Sequence, residues 1–246
     1  MINYIMLTWN RKAFLETLFS DFYKKIDNKN YNFFIIDNGS TDGTQEFLKE
    51  LATKDSKIHI TFNITNKGLD EYKKLLNKAS KNNNQYIVII DDDVLDFPEE
   101  FDRKLIETMG VYKDIGFLAL DVIQNEMTNG AKPEKHFYVE ETRGGITVQK
   151  GPAGGWCAII RKRDYKKIKL FLLLRKFDMS SGEDSNLVWF LRKILRKVPA
   201  ILKNERCLHA AGPYYSKKYG YLERDIKKYE NANLEDLKNL YISYRD

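Results

Sequence analysis

The sequence predicts an α/β fold, in which a mostly parallel central sheet is flanked by helices. Along the 246 residues, short apolar runs typical of buried strands alternate with segments in which apolar residues recur at helical spacing. This alternation favours parallel strands joined by right-handed crossovers. Two of the apolar runs end in carboxylates, at Asp37 and at Asp91 to Asp93. Open α/β sheets bind their ligands just beyond the carboxyl ends of such strands.

The first predicted element is a strand, and a helix follows it. Asn10 is a residue type that caps helices, and apolar side chains then recur from Phe14 to Ile26. After the second strand, Asp42 and Gln45 resemble a capping box that starts a helix through about Ala52. The strands that apolar runs predict are 2–8, 33–36, 58–62, 86–90 and 115–120.

Helical patterns continue in the second half of the chain. Apolar spacing predicts helices from Leu69 to Ala79 and from Phe101 to Met109, and Gly182 opens another. Residues 125–151 mix glycines and a proline with short strand-like pieces, which indicates a hairpin and a mobile loop. Residues 219–246 form a charged, tyrosine-rich segment compatible with helix. We expect this tail to pack on the core, with a homodimer through the tail or contact with a membrane surface as the alternatives.

Composition and charge narrow the class of protein. An apolar fraction of 43% and a net charge of +6 are compatible with a soluble globular protein whose partner is anionic. Nucleic acid is not an expected partner, because the chain has neither an RRM-like aromatic motif nor a zinc-finger spacing. The absence of G-x-G-x-x-G after the first strand disfavours a dinucleotide-binding domain.

The chain is expected in the cytoplasm, with peripheral contact at the inner membrane face as an alternative. Its first residues lack the basic start and long apolar stretch of a signal peptide, and its apolar runs are too short to span a bilayer. Cys157 and Cys207 lack a C-x-x-C spacing. We expect two buried thiols in a reducing compartment, with a disulfide as the alternative.

The acidic run at Asp91 to Asp93 is a candidate site for a metal and a diphosphate. Three adjacent anions at a strand end repel one another, and a divalent cation removes that repulsion while sharing oxygen ligands with phosphates. The alternative is a solvated acidic turn. Asp37 ends the neighbouring strand and can accept hydrogen bonds from N–H or hydroxyl groups of a ligand, or else cap the local turn.

These segments carry a resemblance to a known family. The stretches IIDNGSTDGT at 35–44 and IIDDDV at 89–94 resemble the family 2 inverting glycosyltransferases with a GT-A fold, and the resemblance covers roughly residues 2–212. It implies a transferase domain at 1–215, with a nucleotide-sugar half at about 1–124 and an acceptor half at about 125–215, followed by the tail at 216–246. Further matches follow in the family's order, at 66–68, 154–157, 182–184 and 209.

The resemblance assigns roles to particular residues. Asp93 and His209 would hold a metal, Mn²⁺ or Mg²⁺, and imidazole beside carboxylates suits Mn²⁺ somewhat better. Asp184 would be the catalytic base, with Trp156 and Glu183 binding the acceptor. The residues that would bind the donor nucleotide and its diphosphate are Thr8, Asn10, Arg11, Asp37, Asn66, Lys67, Asp91 and Asp92.

The expected activity is that of a metal-dependent hexosyltransferase. The donor would be a nucleoside-diphosphate sugar, which the resemblance implies is a UDP-sugar, and the acceptor a hydroxyl of a glycan, a lipid or a protein. One base without a second nucleophile implies direct displacement with inversion. Two alternatives stay open: a nucleotidyltransferase, and a protein derived from a transferase that binds a nucleotide sugar or glycan without turnover.

Overall fold

The computed structural model describes residues 2–128, 132–179 and 182–245, and within these ranges the chain forms one large sheet flanked by helices. The strands are Ile2–Thr8 (β1), Tyr31–Asp37 (β2), Ile58–Phe62 (β3), Tyr86–Ile90 (β4), Val94–Asp96 (β5), Ile115–Val122 (β6), Val139–Arg143 (β7), Ile146–Lys150 (β8), Cys157–Arg161 (β9) and Val198–His209 (β10). The helices are Lys12–Lys25 (α1), Thr44–Lys54 (α2), Glu71–Ala79 (α3), Phe101–Val111 (α4), Lys162–Leu173 (α5), Glu183–Leu195 (α6), Pro213–Lys218 (α7), Leu222–Asn231 (α8) and Glu235–Ile242 (α9).

The sheet is mixed, with its strands in the order β3-β2-β1-β4-β9-β6-β10-β8-β7. The first four are parallel, as the alternation of strands and helices predicts. Strand β9 then lies antiparallel between β4 and β6. The described residues between β6 and β9 form a hairpin and one 3₁₀ turn but no α-helix, so the chain lacks the helical crossover by which parallel neighbours are usually joined. The α/β class is confirmed, and the parallel arrangement is limited to part of the sheet.

Burial explains why the segments that position the site form strands. All eight residues of β6 are buried, and Ile87 to Ile90 of β4 are fully buried, because helices cover both faces of the sheet. The parallel register sets Thr8 opposite Asp37 and Ile5 opposite Ile89. The polar residues that follow β1, β2 and β4 therefore meet at one edge of the sheet.

The turn after β1 differs from the predicted helix cap. Asn10 has a positive φ of 51°, and α1 begins two residues later, at Lys12. The Asn10 side chain instead accepts a hydrogen bond of 2.7 Å from the backbone N–H of Thr41. Its predicted capping role is therefore wrong, since it ties the β1 turn to the β2 turn.

The predicted capping box after β2 does not form either. Helix α2 begins at Thr44, whose backbone N–H donates to Asp42 at 3.1 Å. The Gln45 amide points back and donates to Asp37 Oδ1 at 2.8 Å. Gly39, with φ of 80°, is needed here because a Cβ at this position would lie 2.9 Å from the backbone of Thr65.

The middle segment contains the predicted hairpin, β7 and β8, which turns at Gly144 and Gly145, both with positive φ. Residues 129–131 of the predicted loop lie outside the described ranges. The two thiols, Cys157 and Cys207, are buried and free, which confirms the expectation of two buried thiols rather than a disulfide. No helix in the described part of the chain combines the length and the apolar content that a bilayer crossing requires.

A short strand carries the end of β10 to the acidic run. β5 begins directly after Asp93 and pairs antiparallel with β10, so that His209 lies opposite Val94. The backbone N–H of Ala210 also donates to the Asp93 carbonyl at 2.8 Å. This pairing fixes His209 beside the acidic residues although 116 positions separate it from Asp93 in the printed sequence.

Candidate active site

A cavity of about 980 Å³ opens at the carboxyl edge of the sheet. It is lined by the ends of β1, β4 and β10, by the turn at 66–70 and by the tail helices. The predicted site residues that line it are Thr8, Arg11, Asn66, Lys67, Asp91, Asp92, Asp93, Glu183 and His209. Four further predicted residues, Asn10, Asp37, Trp156 and Asp184, are not among the residues that line it.

Asp91, Asp93 and His209 form a group with the geometry of a metal site. One ligand atom from each lies within 4.8 Å of the others, and Nε2 of His209 is 3.1 Å from Asp93 and 3.7 Å from Asp91. The resemblance assigns Asp91 to the donor nucleotide and its diphosphate, whereas the structure places it among the potential metal ligands. Two carboxylates and an imidazole suit Mn²⁺, so the residues fit the implied metal.

The pKa shifts of Asp91, Asp93 and His209 agree with a site for a divalent cation. Burial, together with Asp93, Asp184 and Asp92, raises the pKa of Asp91 to about 7, although His209 opposes the shift. Burial acts in the same direction on Asp93, but His209 and Arg11 outweigh it and lower the pKa of Asp93. Burial would lower the pKa of His209, and the neighbouring carboxylates raise it instead. A divalent cation would relieve the repulsion among these acids.

Asp92 points away from this group, towards Arg11. The two side chains are 3.9 Å apart, and Arg11 is only 5% exposed. Arg11 also pairs at 3.2 Å with Asp225 of α8, which is 1% exposed. Nε and Nη1 of Arg11 are buried without a hydrogen-bond partner among the described residues. The guanidinium therefore links the first strand to the tail and retains donors for a ligand.

The Arg11–Asp225 pair gives a stability prediction. Asp225→Asn should lower the free energy of unfolding by about 3–5 kcal/mol, because it removes the nearer counter-charge of a buried guanidinium. Burial would raise the pKa of Asp225, but Arg11 and Arg224 lower it overall. The stabilisation that Asp225 contributes is therefore complete above the ordinary aspartate pKa of ~4, and it is lost as the pH falls through the lowered pKa of the folded protein. The difference in unfolding free energy between variant and parent should therefore shrink in acid.

Urea unfolding at neutral and acidic pH measures this effect. Glu223→Gln is the matched control on the same helix, because Glu223 pairs with Arg245 on the surface, where such pairs contribute little. Equal stability of the Asp225→Asn and Glu223→Gln proteins at neutral pH would contradict a structural role for the buried pair.

The turn at 66–68 is held by Asn38, a residue that the sequence reasoning missed. The Asn38 amide donates to Asn66 Oδ1 at 2.8 Å, and its carbonyl oxygen accepts from the backbone N–H of Lys67 at 2.9 Å. Lys67 itself is exposed at the cavity rim. Asn38 stands between two residues that the sequence did single out, Asp37 and Gly39, so its place in that motif was the available indication.

Asp37 stabilises the local turn with one carboxylate oxygen and leaves the other without a partner among the described residues. Its Oδ1 accepts from the backbone N–H of Ser40 at 3.1 Å and from Gln45, which stabilises the turn. Its Oδ2 is buried and has no hydrogen-bond partner among the described residues. A buried carboxylate oxygen without a donor is costly, and a ligand N–H would satisfy it.

The start of α6 is held against the loop that touches the acidic run. Gly155 donates its backbone N–H to Asp184 Oδ2 at 3.1 Å, and the Trp156 carbonyl accepts from the backbone N–H of Asp91 at 2.9 Å. Glu183 is buried on the cavity wall, where burial and the nearby Asp91 raise its pKa well above the usual range. One loop, at Gly155 and Trp156, therefore contacts both the start of α6 and the acidic run.

Trp156 does not agree with its predicted stacking on an acceptor sugar. It is 4% exposed, and its Nε1 donates to the carbonyl of Leu120 at 2.9 Å. The ring packs beneath His209, with centroids 6.0 Å apart. Because its indole nitrogen is satisfied inside the core, Trp156 supports the imidazole from below, and the prediction that it binds the acceptor is wrong.

The tail contributes residues to the cavity lining that belong to no sequence motif. Ser216, Arg224, Lys228 and Tyr241 line the cavity, and the Arg224 guanidinium lies 4.8 Å from the Trp9 ring. Lys228 is near enough to lower the pKa of Asp93. Two cations four residues apart on α8 therefore face the acidic floor. A basic helix outside any motif is usually a solvated face, so sequence alone gave no reason to select these two.

A second cavity, of about 890 Å³, lies along α6. Its lining includes Pro152, Ala153, Ser185 and Trp189. Glu183 lines the first cavity and Ser185 the second. Asp184 therefore stands between the two cavities in the sequence of α6.

Comparisons with known proteins agree with this geometry. The model of the family described as "Glycosyl transferase family 2" matches residues 4–169. A dolichol-phosphate mannosyltransferase of Pyrococcus furiosus is 28% identical over 200 residues, which cover 80% of this chain and 51% of that protein. The chain thus spans about half the length of the curated relative that it matches.

Solved structures are similar in fold. The mannosyltransferase PcManGT from Pyrobaculum calidifontis, in complex with GDP-Man and Mn²⁺, matches with a TM-score of 0.63 and 15% identity, over 92% of this chain and 60% of that one. S. aureus TarS 1-349, in complex with UDP-GlcNAc, matches with a TM-score of 0.60 and 14% identity, over 90% and 63%. At such identities the likeness concerns the fold, and it confirms the predicted GT-A architecture.

Proposed function

The chain belongs to glycosyl transferase family 2, and we propose from this that it transfers a sugar from a nucleoside-diphosphate sugar to an acceptor hydroxyl, with inversion. The observation that carries the proposal is the convergence of three groups on one cavity. The metal-type group of Asp91, Asp93 and His209 forms its floor, the turn of Asn66 and Lys67 one wall, and the acids of α6 lie at its edge. This arrangement suits a diphosphate held between a sugar site and a nucleotide site.

The donor would be held mainly by the strand ends. The buried, unpartnered Oδ2 of Asp37 suits an N–H of the base, and Asn66 and Lys67 lie where base or phosphate would pass. Asp93 and His209, with Asp91, would hold the cation. Such a cation, when bound, would supply positive charge for the diphosphate as its bond to the sugar breaks.

Cations of the chain would share that task. Arg11, Arg224 and Lys228 all line the cavity. Arg224 and Lys228 belong to the tail at 216–246, so we propose that this tail completes the donor site of the transferase domain at 1–215. Preorganised positive charge next to a leaving diphosphate stabilises the transition state without reorganisation.

Asp184 is the proposed base. It lies between a residue of the donor cavity, Glu183, and a residue of the second cavity, Ser185. Its hydrogen bond to Gly155 fixes the carboxylate in place. A carboxylate there can take the proton of an acceptor hydroxyl as the new bond forms on the face opposite the diphosphate, which inverts the anomeric centre.

The nucleotide is the first point to test. A UDP-sugar is the donor that the motifs favour, and GDP-mannose is the second candidate because PcManGT is described with GDP-Man and Mn²⁺. Calorimetric titration with UDP, GDP, CDP and dTDP, each with Mn²⁺ and with chelator, should give one diphosphate that binds at least about tenfold more tightly in Mn²⁺. Equal binding of all four in chelator and in Mn²⁺ would contradict both the metal and the nucleotide site.

Turnover separates this proposal from its alternatives. Slow release of nucleoside diphosphate from the matching nucleotide sugar, without added acceptor, is expected of a transferase. A protein that only binds nucleotide sugars would show tight binding without release, and a nucleotidyltransferase would consume a nucleoside triphosphate instead.

A further inference from the structure

Exposed apolar side chains are concentrated in one short part of the chain. Of fourteen exposed large hydrophobic residues in the described ranges, seven lie between residues 170 and 194, on the end of α5, on α6 and between them. Leu174 is 80% exposed and Leu170 is 68% exposed. Single exposed leucines are ordinary on protein surfaces, whereas a contiguous group marks a site of interaction.

Ring contacts join the two helices into one surface. Phe171, at the end of α5, stacks on Phe190 of α6 with ring centroids 5.9 Å apart. Trp189 meets Phe190 edge-on at 4.7 Å, and the Arg175 guanidinium lies 5.7 Å from the Trp189 ring. We define the apolar patch as Leu170, Phe171, Leu173, Leu174 and Trp189.

The same segment carries the positive charge of the chain. Residues 162–197 contain eleven lysines and arginines and four acids, a net charge of +7, whereas the whole chain carries +6. The remaining residues therefore sum to −1. Of the four acids, Asp164 and Glu183 are buried, while Lys166 and Lys167 are exposed on α5 beside the patch. Little negative charge on this surface offsets its lysines and arginines.

We propose that the apolar patch and its basic rim dock the protein on the surface of an anionic lipid bilayer. Leucines and a tryptophan surrounded by lysines and arginines match both components of peripheral binding, which are insertion of apolar side chains and attraction to anionic headgroups. A second copy of this chain is a poorer occupant, because two surfaces of this charge repel each other.

Docking in this way has a geometric consequence for the cavities. Met179, between α5 and α6, lines the first cavity, and Trp189 lines the second. The bilayer would therefore lie beside residues that line both cavities. The surface goes beyond the proposed activity, since it requires neither donor nor metal.

Vesicle binding of the whole chain tests the inference. Vesicles of phosphatidylcholine with phosphatidylglycerol should co-sediment with the protein, vesicles of phosphatidylcholine alone should bind it far less, and raising the salt should weaken binding to the anionic vesicles. Brominated acyl chains in the anionic vesicles should quench the fluorescence of Trp189, and Trp189→Phe should remove that quenching.

Paired variants separate the two components. Leu170→Ser with Leu174→Ser should lose most of the vesicle binding, and Lys166→Gln with Lys167→Gln should weaken it by roughly 25-fold, at about fivefold per lysine. The matched controls are Ile64→Ser, at a side chain 97% exposed elsewhere, and Lys24→Gln with Lys113→Gln. Both controls should bind vesicles as the parent does.

Three results would overturn the inference. They are absence of binding to anionic vesicles, equal binding of the patch variants and the controls, and a dimer in solution that the Leu170→Ser, Leu174→Ser protein no longer forms. The last result would assign the patch to a second copy of the chain. Vesicle binding by a protein that releases no nucleoside diphosphate would leave this surface in place and count only against the proposed activity.

Discussion

Asp93→Asn should remove most of the Mn²⁺-dependent binding of a nucleoside diphosphate, and His209→Ala should do the same. Each substitution takes away a proposed ligand, so each loss should exceed the roughly 10–100-fold that follows removal of an outer-shell partner. The double variant should be little worse than the poorer single one, because two residues that act on one ion are lost together. Calorimetry of nucleoside diphosphate binding in Mn²⁺ measures all four proteins.

The direct contact between the two side chains requires its own control. His209 Nε2 and Asp93 Oδ1 are 3.1 Å apart, so the pair could be non-additive without any metal. Unfolding the same four proteins in chelator measures the coupling energy of the direct contact alone. The difference between that coupling energy and the one measured in Mn²⁺ reports the shared ion. Additive losses in Mn²⁺, or a His209→Ala protein with normal metal dependence, would make this histidine structural.

Asp184→Asn should reduce sugar transfer by about a hundredfold or more, the range in which a general base contributes. An asparagine carbonyl can still accept the hydrogen bond from Gly155, so the loop and the donor site should be preserved. Binding of the nucleoside diphosphate in Mn²⁺ should therefore stay within about twofold of the parent while the rate of transfer falls.

Glu183→Gln is the neighbouring control for the base. Glu183 faces the donor cavity, and its pKa is raised well above the usual range, mainly by burial. Its amide analogue should reduce transfer less than Asp184→Asn if it only positions the acceptor. Full activity of Asp184→Asn would rule it out as the base, and a larger loss in Glu183→Gln would transfer that role to Glu183.

Local pattern was enough to predict the elements that carry the motifs. The runs at 2–8 and 86–90 match β1 and β4, since apolar residues buried on both faces leave little ambiguity. The carboxylates after the runs at 33–36 and 86–90 were recognisable because strand ends in an open sheet are where ligands bind. The α/β class followed from this pattern, and the GT-A fold from the resemblance that the ordered motifs carry.

Features that depend on distant pairing could not be predicted in the same way. The three-residue strand β5 is too short to stand out in the sequence, and yet its pairing with β10 places His209 next to Asp93. The antiparallel position of β9 depends on a hairpin between β6 and β9. Asn10 was misassigned because a residue type that caps helices also occurs readily at positive φ in turns.

The contact between Arg11 and Asp225 also imposes an order of events during synthesis. The two residues are 214 positions apart, and at ~5–20 residues per second roughly 10–40 s separate their addition to the growing chain. During that interval β1 can pair with β2 and β4, while Arg11 lacks Asp225, the nearer of its two counter-charges. The nucleotide site would therefore be assembled after the sheet that supports it, so that a nascent chain can be folded over most of its length and still be unable to hold a donor.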